Sequence, residues 1–250
     1  MRTALRATVR LLRLLGYLAT GLWRAGRLGR MQEGARLEFV RSWQAGVPTV
    51  LGVAVHICGE EQLDALTANG GSLWLPNHIS WLDIPLLGGI CPGTIFLAKS
   101  EIRRWPVIGR LAMHAGTAFI ERGQGSEAAA VAVAGGLAQG RQVVVFPEGT
   151  TSDGRQVRHF HARMLGPAIE AGRPIVPVAL RYRDARGQLS TAPAFVGQEL
   201  PWASFWRVLA ADGLEAWIDI LEPIEPQTGE TRSEIARRAQ QAVAAIVSAD

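Results

Sequence analysis

The chain predicts an α/β fold with a mixed, largely parallel sheet flanked by helices, preceded by an amphipathic helical segment. Three observations carry that prediction. The 250 residues are 48% apolar, enough to fill the core of one domain of ordinary size. From about residue 51 onward, short apolar β-like runs alternate with helical patterns, the arrangement that builds sheets with helices on their faces. The first thirty residues instead repeat arginines and leucines at helical spacing.

The N-terminal element comes first. The formal charge of +4 is unevenly spread: residues 1–41 hold nine arginines against Glu33 and Glu38, a net of +7, so the remainder sums to −3. At 100° per residue Arg2, Arg6, Arg10, Arg13, Tyr17, Thr20, Arg24 and Arg27 share one helix face, with Leu11, Leu15, Leu18 and Leu22 opposite. Such a helix suits a headgroup plane, with leucines in the acyl boundary and arginines near anionic phosphates. A second reading packs the leucine stripe on the protein's own core. Spanning a bilayer is excluded, because the longest charge-free run, Leu14 to Trp23, has ten residues where about 20 are needed. Arg13 interrupts the apolar region, which disfavours a cleavable signal. Nucleic acid is not an expected partner, since the rest of the chain is acidic on balance and carries no recognised module for it. Residues 1–45 therefore read as a membrane-associating segment and 46–250 as the catalytic domain.

Within that domain, strands are expected at 51–57, 72–75, 94–98, 117–121, 142–146, 175–181 and 216–221. Helices are expected near 80–89, 107–114, 126–138, 160–171 and 231–248. The runs at 143–146 and 174–178 are apolar on both faces, as central strands are. Pro177 weakens the second of these or moves it to an edge. The stretch 184–213 is too irregular to assign. Cys58 and Cys91 form neither a disulfide framework nor a metal-ligand spacing, so no metal site is expected.

The chemistry gathers where strands end, which is where open α/β sheets collect ligands. His78 follows the strand at 72–75, and Asp83 lies five residues later. On a continuous helix the two would diverge, so an interaction requires the histidine to precede the helix and the aspartate to open it. A carboxylate on Nδ1–H would then leave Nε2 free to take a proton from a hydroxyl. Ser80 and Asp83 alone would also make a helix cap. No Gly-x-Ser-x-Gly elbow or cysteine nucleophile accompanies the pair, so a covalent acyl-enzyme is not indicated. Glu148 and Gly149, after the strand at 142–146, offer an acceptor for substrate hydroxyls and close backbone approach. Arg122 and Lys99, the single lysine of the chain, end two further strands and could hold an anion.

Together these residues resemble the glycerolipid acyltransferase family, represented in bacteria by 1-acyl-sn-glycerol-3-phosphate acyltransferase. The family's Asn-His-x-Ser-x-x-Asp motif is matched by Asn77, His78, Ser80 and Asp83, and its apolar-apolar-x-Arg-Gly motif by Phe119 through Gly123. Phe146, Pro147, Glu148, Gly149, Thr150 and Ser152 match Phe-Pro-Glu-Gly-Thr-x-Ser, and the proline-bearing strand around Pro177 matches the fourth motif. Order and spacing agree across 70–180. The resemblance implies His78 as general base, Asp83 as its orienting partner, Arg122 and Lys99 on the acceptor phosphate, and Glu148, Gly149 and Thr150 around the glycerol portion. It implies acyl transfer from acyl-CoA or acyl carrier protein to the sn-2 hydroxyl of a lysophospholipid, giving phosphatidic acid in phospholipid biosynthesis, with no cofactor. It also implies a peripheral or monotopic enzyme on the cytoplasmic face of the bacterial inner membrane, with membrane lipids as partners. Thr151 departs from the pattern, since many members with phosphate-bearing acceptors have arginine there. That keeps open a lyso-ornithine lipid or another lysolipid as acceptor; a lipid or thioester hydrolase using water is the remaining alternative.

Overall fold

A computed structural model describes residues 2–68, 70–100, 103, 109, 112–113, 117–120, 125–197 and 199–249, without the side chains of 99, 125, 126 and 201. Seven strands lie among these residues: β1 Ala54–Cys58, β2 Leu73–Pro76, β3 Ile95–Lys99, β4 Ala118–Ile120, β5 Val143–Val144, β6 Ile175–Arg183 and β7 Glu215–Ile220. They form one sheet in the order β1-β7-β6-β2-β5-β3-β4. The only antiparallel pair among them is β6 with β7, so β1 and β7 run against the other five. The sheet is thus mixed and largely parallel, as expected.

Side-chain alternation sends each central strand to two cores. Trp74, Val144, Val176, Val178, Leu180 and Ile218 face one side, with α2 (Glu33–Leu51), α4 (Asp83–Gly88) and α7 (Pro201–Ala210) contributing Leu51, Leu87 and Leu209. Leu73, Leu75, Val143, Ile175 and Ala179 face the other, covered by α5 (Gly125–Ala138), α6 (Gly166–Glu170) and α8 (Arg232–Val247). A short α3, Leu63–Ala68, adds Leu66 to the first core. A capping box starts α8: Thr231 accepts from the Glu234 N–H while the Glu234 carboxylate reaches back to the Thr231 N–H.

Several expectations need adjustment. The strand expected at 51–57 begins only at Ala54, because Leu51 ends α2 and Gly52 closes it in the left-handed region at φ +71°. The unassigned stretch 184–213 contains α7, and the region expected as a helix at 160–171 is a 3-10 turn followed by the five residues of α6. Most of 107–114 lies outside the described residues. Pro177 sits inside β6, a central strand rather than an edge. Ile175 bridges Ile224 while Val178 pairs with Ile220, so four steps on one chain oppose three on the other. The extra residue lies between Ile220 and Ile224, and Pro177 stands opposite that bulge, where its missing N–H removes no regular ladder bond.

The N-terminal helix α1, Arg2–Ala25, is three-sided rather than two-sided. Leu11, Leu14 and Leu18 pack on the first core, so part of the leucine stripe serves the protein's own interior. Arg10 is turned inward as well: its guanidinium donates to the carbonyls of Leu209 (3.2 Å), Ala211 (2.7 Å) and Gly52 (3.2 Å), satisfying orphan acceptors at the C-terminal ends of α7 and α2. Arg6 pairs with Asp212 in the same corner. Leu5, Val9, Leu12, Leu15 and Trp23 remain exposed, and Arg2, Arg13 and Arg24 flank them. No helix among the described residues is long and apolar enough to cross a membrane.

Candidate active site

β2 delivers the site. At its exit the Asn77 side chain continues the pairing with β6, donating to the Leu180 carbonyl (3.0 Å) and accepting the Leu180 N–H (2.7 Å). With both amide groups committed and the residue buried, Asn77 fixes where the chain leaves the sheet. The next four residues turn around one carboxylate. Asp83, fully buried at the start of α4, accepts the Ile79 and Ser80 N–H groups on Oδ2 at 2.8 and 2.9 Å, and the His78 Nδ1 lies 2.8 Å from the same oxygen. The histidine precedes the helix and the aspartate opens it, as the spacing required. Ser80 does not cap α4; its Oγ accepts the Leu82 N–H at 3.2 Å and tightens the turn.

The other Asp83 oxygen, Oδ1, accepts the Tyr182 hydroxyl at 2.6 Å. Tyr182 is a residue that sequence reasoning missed. It lies 99 positions from Asp83, one residue past the run assigned to its strand, and only the β2–β6 pairing brings it close. Burial first, and then the Asp83 charge, raise its hydroxyl well above the ordinary tyrosine range, which keeps it a donor.

The third motif clamps the His78 main chain from both sides. Glu148 Oε1 accepts the His78 N–H at 3.1 Å, and the Ser152 N–H donates to the His78 carbonyl at 2.8 Å. The His78 ring stacks on Phe146 with centroids 3.8 Å apart, so the imidazole is held in plane as well as at Nδ1. Pro147 and Ser152 are buried, while Gly149 and Thr150 stand exposed at the lip of the loop, Gly149 with φ +69°. Burial pushes the Glu148 carboxyl up to about 7, against the opposing pull of the His78 N–H and of Arg158, and its Oε2 has no partner among the described residues. Thr151 is buried and gives its hydroxyl to the Phe195 carbonyl, tying the chain at Phe195 against this loop.

The structure thus joins His78, Asp83, Asn77, Ser80, Phe146, Pro147, Glu148, Gly149, Thr150 and Ser152, with Pro177 one layer below in β6. Lys99 is the last residue of β3, but its side chain is outside the described residues, and so is Arg122 entirely. Among the described residues no cluster of histidine, cysteine and carboxylate groups forms a metal cage. Chemically, the site offers an imidazole with Nδ1 secured and Nε2 available, beside a buried carboxylate and an exposed glycine turn.

Comparison with known proteins places that geometry. A family model described as Acyltransferase matches residues 55–181. The chain is 40% identical over 247 residues to a lyso-ornithine lipid O-acyltransferase of Pseudomonas aeruginosa, covering 96% of this chain and 92% of that protein. It is 34% identical over 182 residues to a 1-acyl-sn-glycerol-3-phosphate acyltransferase of Neisseria gonorrhoeae, covering 72% of this chain and 71% of the other. The crystal structure of the LPA acyltransferase PlsC from Thermotoga maritima superposes with a TM-score of 0.75 over 98% of this chain and 95% of that one, at 22% identity, and bears on the fold alone.

Proposed function

Because this chain belongs to the acyltransferase family, we propose that it transfers an acyl group from a thioester donor to the hydroxyl of lyso-ornithine lipid. His78 Nε2 takes the proton of the acceptor hydroxyl as its oxygen attacks the thioester carbonyl. The tetrahedral adduct collapses with cleavage of the C–S bond, and the imidazolium returns its proton to the departing thiolate. The Asp83–Tyr182 pair holds the ring through Nδ1 and stabilises the imidazolium, without a covalent acyl-enzyme. The observation that carries the reading is the 2.8 Å contact between His78 Nδ1 and a buried Asp83 whose other oxygen is occupied by Tyr182.

The ranking of acceptors differs from the one that the motif resemblance suggested. The position where arginine is expected for a phosphate-bearing acceptor is a buried threonine committed to Phe195. The relative matched over almost its whole length is named for a lyso-ornithine acceptor. Lysophosphatidic acid, yielding phosphatidic acid, is the second reading, favoured by the shorter match to the Neisseria enzyme. Purified protein given labelled acyl-CoA or acyl carrier protein with each lysolipid decides between them. The expected product is acylated ornithine lipid; preferential formation of phosphatidic acid would reverse the order, and free fatty acid released without any acceptor would favour hydrolysis.

We also propose that the enzyme works on the cytoplasmic face of the inner membrane, seated by the outer side of α1. Leu5 and Leu12, 68% and 63% exposed, lie on that side beside arginines suited to anionic headgroups. Truncating α1 is a poor test, since Leu14 belongs to the core. Leu5→Ser, Leu12→Ser and Leu15→Ser together should reduce sedimentation with phosphatidylglycerol vesicles while preserving the fold; unchanged sedimentation would refute the seat.

A further inference from the structure

The chain leaves the third motif, loops outward and comes back alongside it. Around residue 160 it runs extended, so neighbouring side chains alternate: Phe160 is buried, and His159 and His161 on either side are exposed. Their rings meet edge to face at 5.1 Å. Two main-chain bonds fix the segment, Phe160 N–H to Gln240 Oε1 of α8 (3.2 Å) and His161 N–H to the Pro147 carbonyl (2.9 Å). The second places His161 against the catalytic loop, where a Cβ built on Gly149 would lie 3.9 Å from its Cδ2.

Arg163 and Ser233, the latter from the first turn of α8, complete a cavity of about 220 Å³ that opens to solvent. Its polar lining consists of two imidazoles, a guanidinium and a hydroxyl, with no carboxylate among the residues that line it. Glu234, next to Ser233, commits its carboxylate to the Thr231 N–H and hydroxyl, each at 2.7 Å. Hydrogen-bond donors at the N-terminal end of a 16-residue helix favour an anion. Glu148, the neighbour of Gly149 in that loop, has a buried Oε2 without a hydrogen-bond partner among the described residues.

We propose that His159, His161 and Arg163 form a subsite for the carboxylate or phosphate group of a substrate, beside the loop that carries Glu148 and Gly149. The proposal rests on the acyltransferase reading and extends it to residues outside the four motifs. The anion has two possible sources, the acceptor headgroup or the phosphates of the thioester donor, and steady-state kinetics separates them. His161→Gln combined with Arg163→Gln leaves Phe160 and its packing untouched. The expected result is a rise of about tenfold or more in the KM of one substrate, with kcat within about twofold. A rise for the lysolipid assigns the headgroup; a rise for acyl-CoA or acyl carrier protein assigns the donor phosphates. Two unchanged KM values, or a fall in kcat alone, would overturn the subsite.

A readout independent of catalysis uses inorganic phosphate and the histidine ring NMR signals of the intact protein. The His159 and His161 signals should move on titration, while that of His56, stacked on Trp217 at 4.3 Å in the β1–β7 region, stays in place. Rings that do not respond would count against the subsite. Rings that respond in a protein acylating no lysolipid would defeat the acyltransferase reading and leave the subsite standing.

Discussion

Replacing Glu148 with glutamine tests the electrostatics of the site in a way that does not depend on finding the substrate. In the folded protein burial raises this carboxyl from 4.5 to about 7. The folded state therefore binds the proton more tightly than the unfolded chain does, and stability is linked to that difference. The contribution is fully present below pH 4.5, declines as pH rises towards 7, and is lost above that. At about 1.4 kcal/mol per unit, the shift corresponds to roughly 3.5 kcal/mol between the two plateaus. For a chain of this size that is a difference of roughly 7–14 °C in melting temperature. Glutamine keeps an oxygen to accept the His78 N–H and cannot ionise, so Glu148→Gln should remove the decline and be the more stable protein at pH 8. Thermal melts of both proteins in one detergent between pH 5 and 8 provide the assay, and their difference cancels every other titrating group. Parallel curves across that range would refute the argument and show the Glu148 charge to be compensated in solution.

Three further substitutions probe the surrounding framework. His78→Ala should abolish acyl transfer without altering the fold, measured by product formation and circular dichroism; near wild-type turnover would eliminate His78 as the base. Tyr182→Phe removes a donor from a buried carboxylate, so it should cost about 1.5–3 kcal/mol of stability in chemical denaturation. It should also lower kcat while leaving KM in place, because the hydroxyl acts on Asp83 and not on substrate. Arg10→Met strips donors from the carbonyls of Leu209, Ala211 and Gly52 while keeping much of the side-chain volume. A loss of about 1–3 kcal/mol in urea melts is expected; an unchanged midpoint would mean that water replaces the guanidinium there.

What could be read from the sequence was local. His78 and Asp83 are five residues apart, so the spacing gave the condition for a pairing, a turn entering a helix, and the structure supplied the contact itself. The strand exits were legible because apolar runs of four to six residues ended in Gly, Pro and hydroxyl-bearing segments. Tyr182 was hidden because its partnership with Asp83 depends on which strands become neighbours, and no periodicity carries that information. His161 was hidden for the same reason: its link to Pro147 forms only when the 157–163 segment folds back on the motif loop.

The N-terminal helix shows a different limit. Its hydrophobic periodicity correctly gave a helix, but a periodicity cannot say whether an apolar face meets lipid or protein. Here the apolar positions divide: Leu11, Leu14 and Leu18 are taken by the core, and Leu5, Leu12 and Leu15 are left outside. The arginines divide too, with Arg6 and Arg10 stitching α1 to the end of α7. That stitch bears on the active site. α7 carries Ser204, whose hydroxyl accepts the Trp81 indole N–H at 3.1 Å, and Phe205, whose ring lies 5.8 Å from that of Trp81. Trp81 stands between His78 and Asp83 in the chain. The surface helix and the catalytic turn are therefore joined through one intervening helix by specific polar contacts. A helix bound to lipid on its outer face would present His78 at a fixed height above the membrane, which is what an enzyme acting on a lipid hydroxyl requires. The net charge of +4 conceals this arrangement, because part of the N-terminal charge is spent on internal carbonyls and on Asp212 and only the rest faces outward.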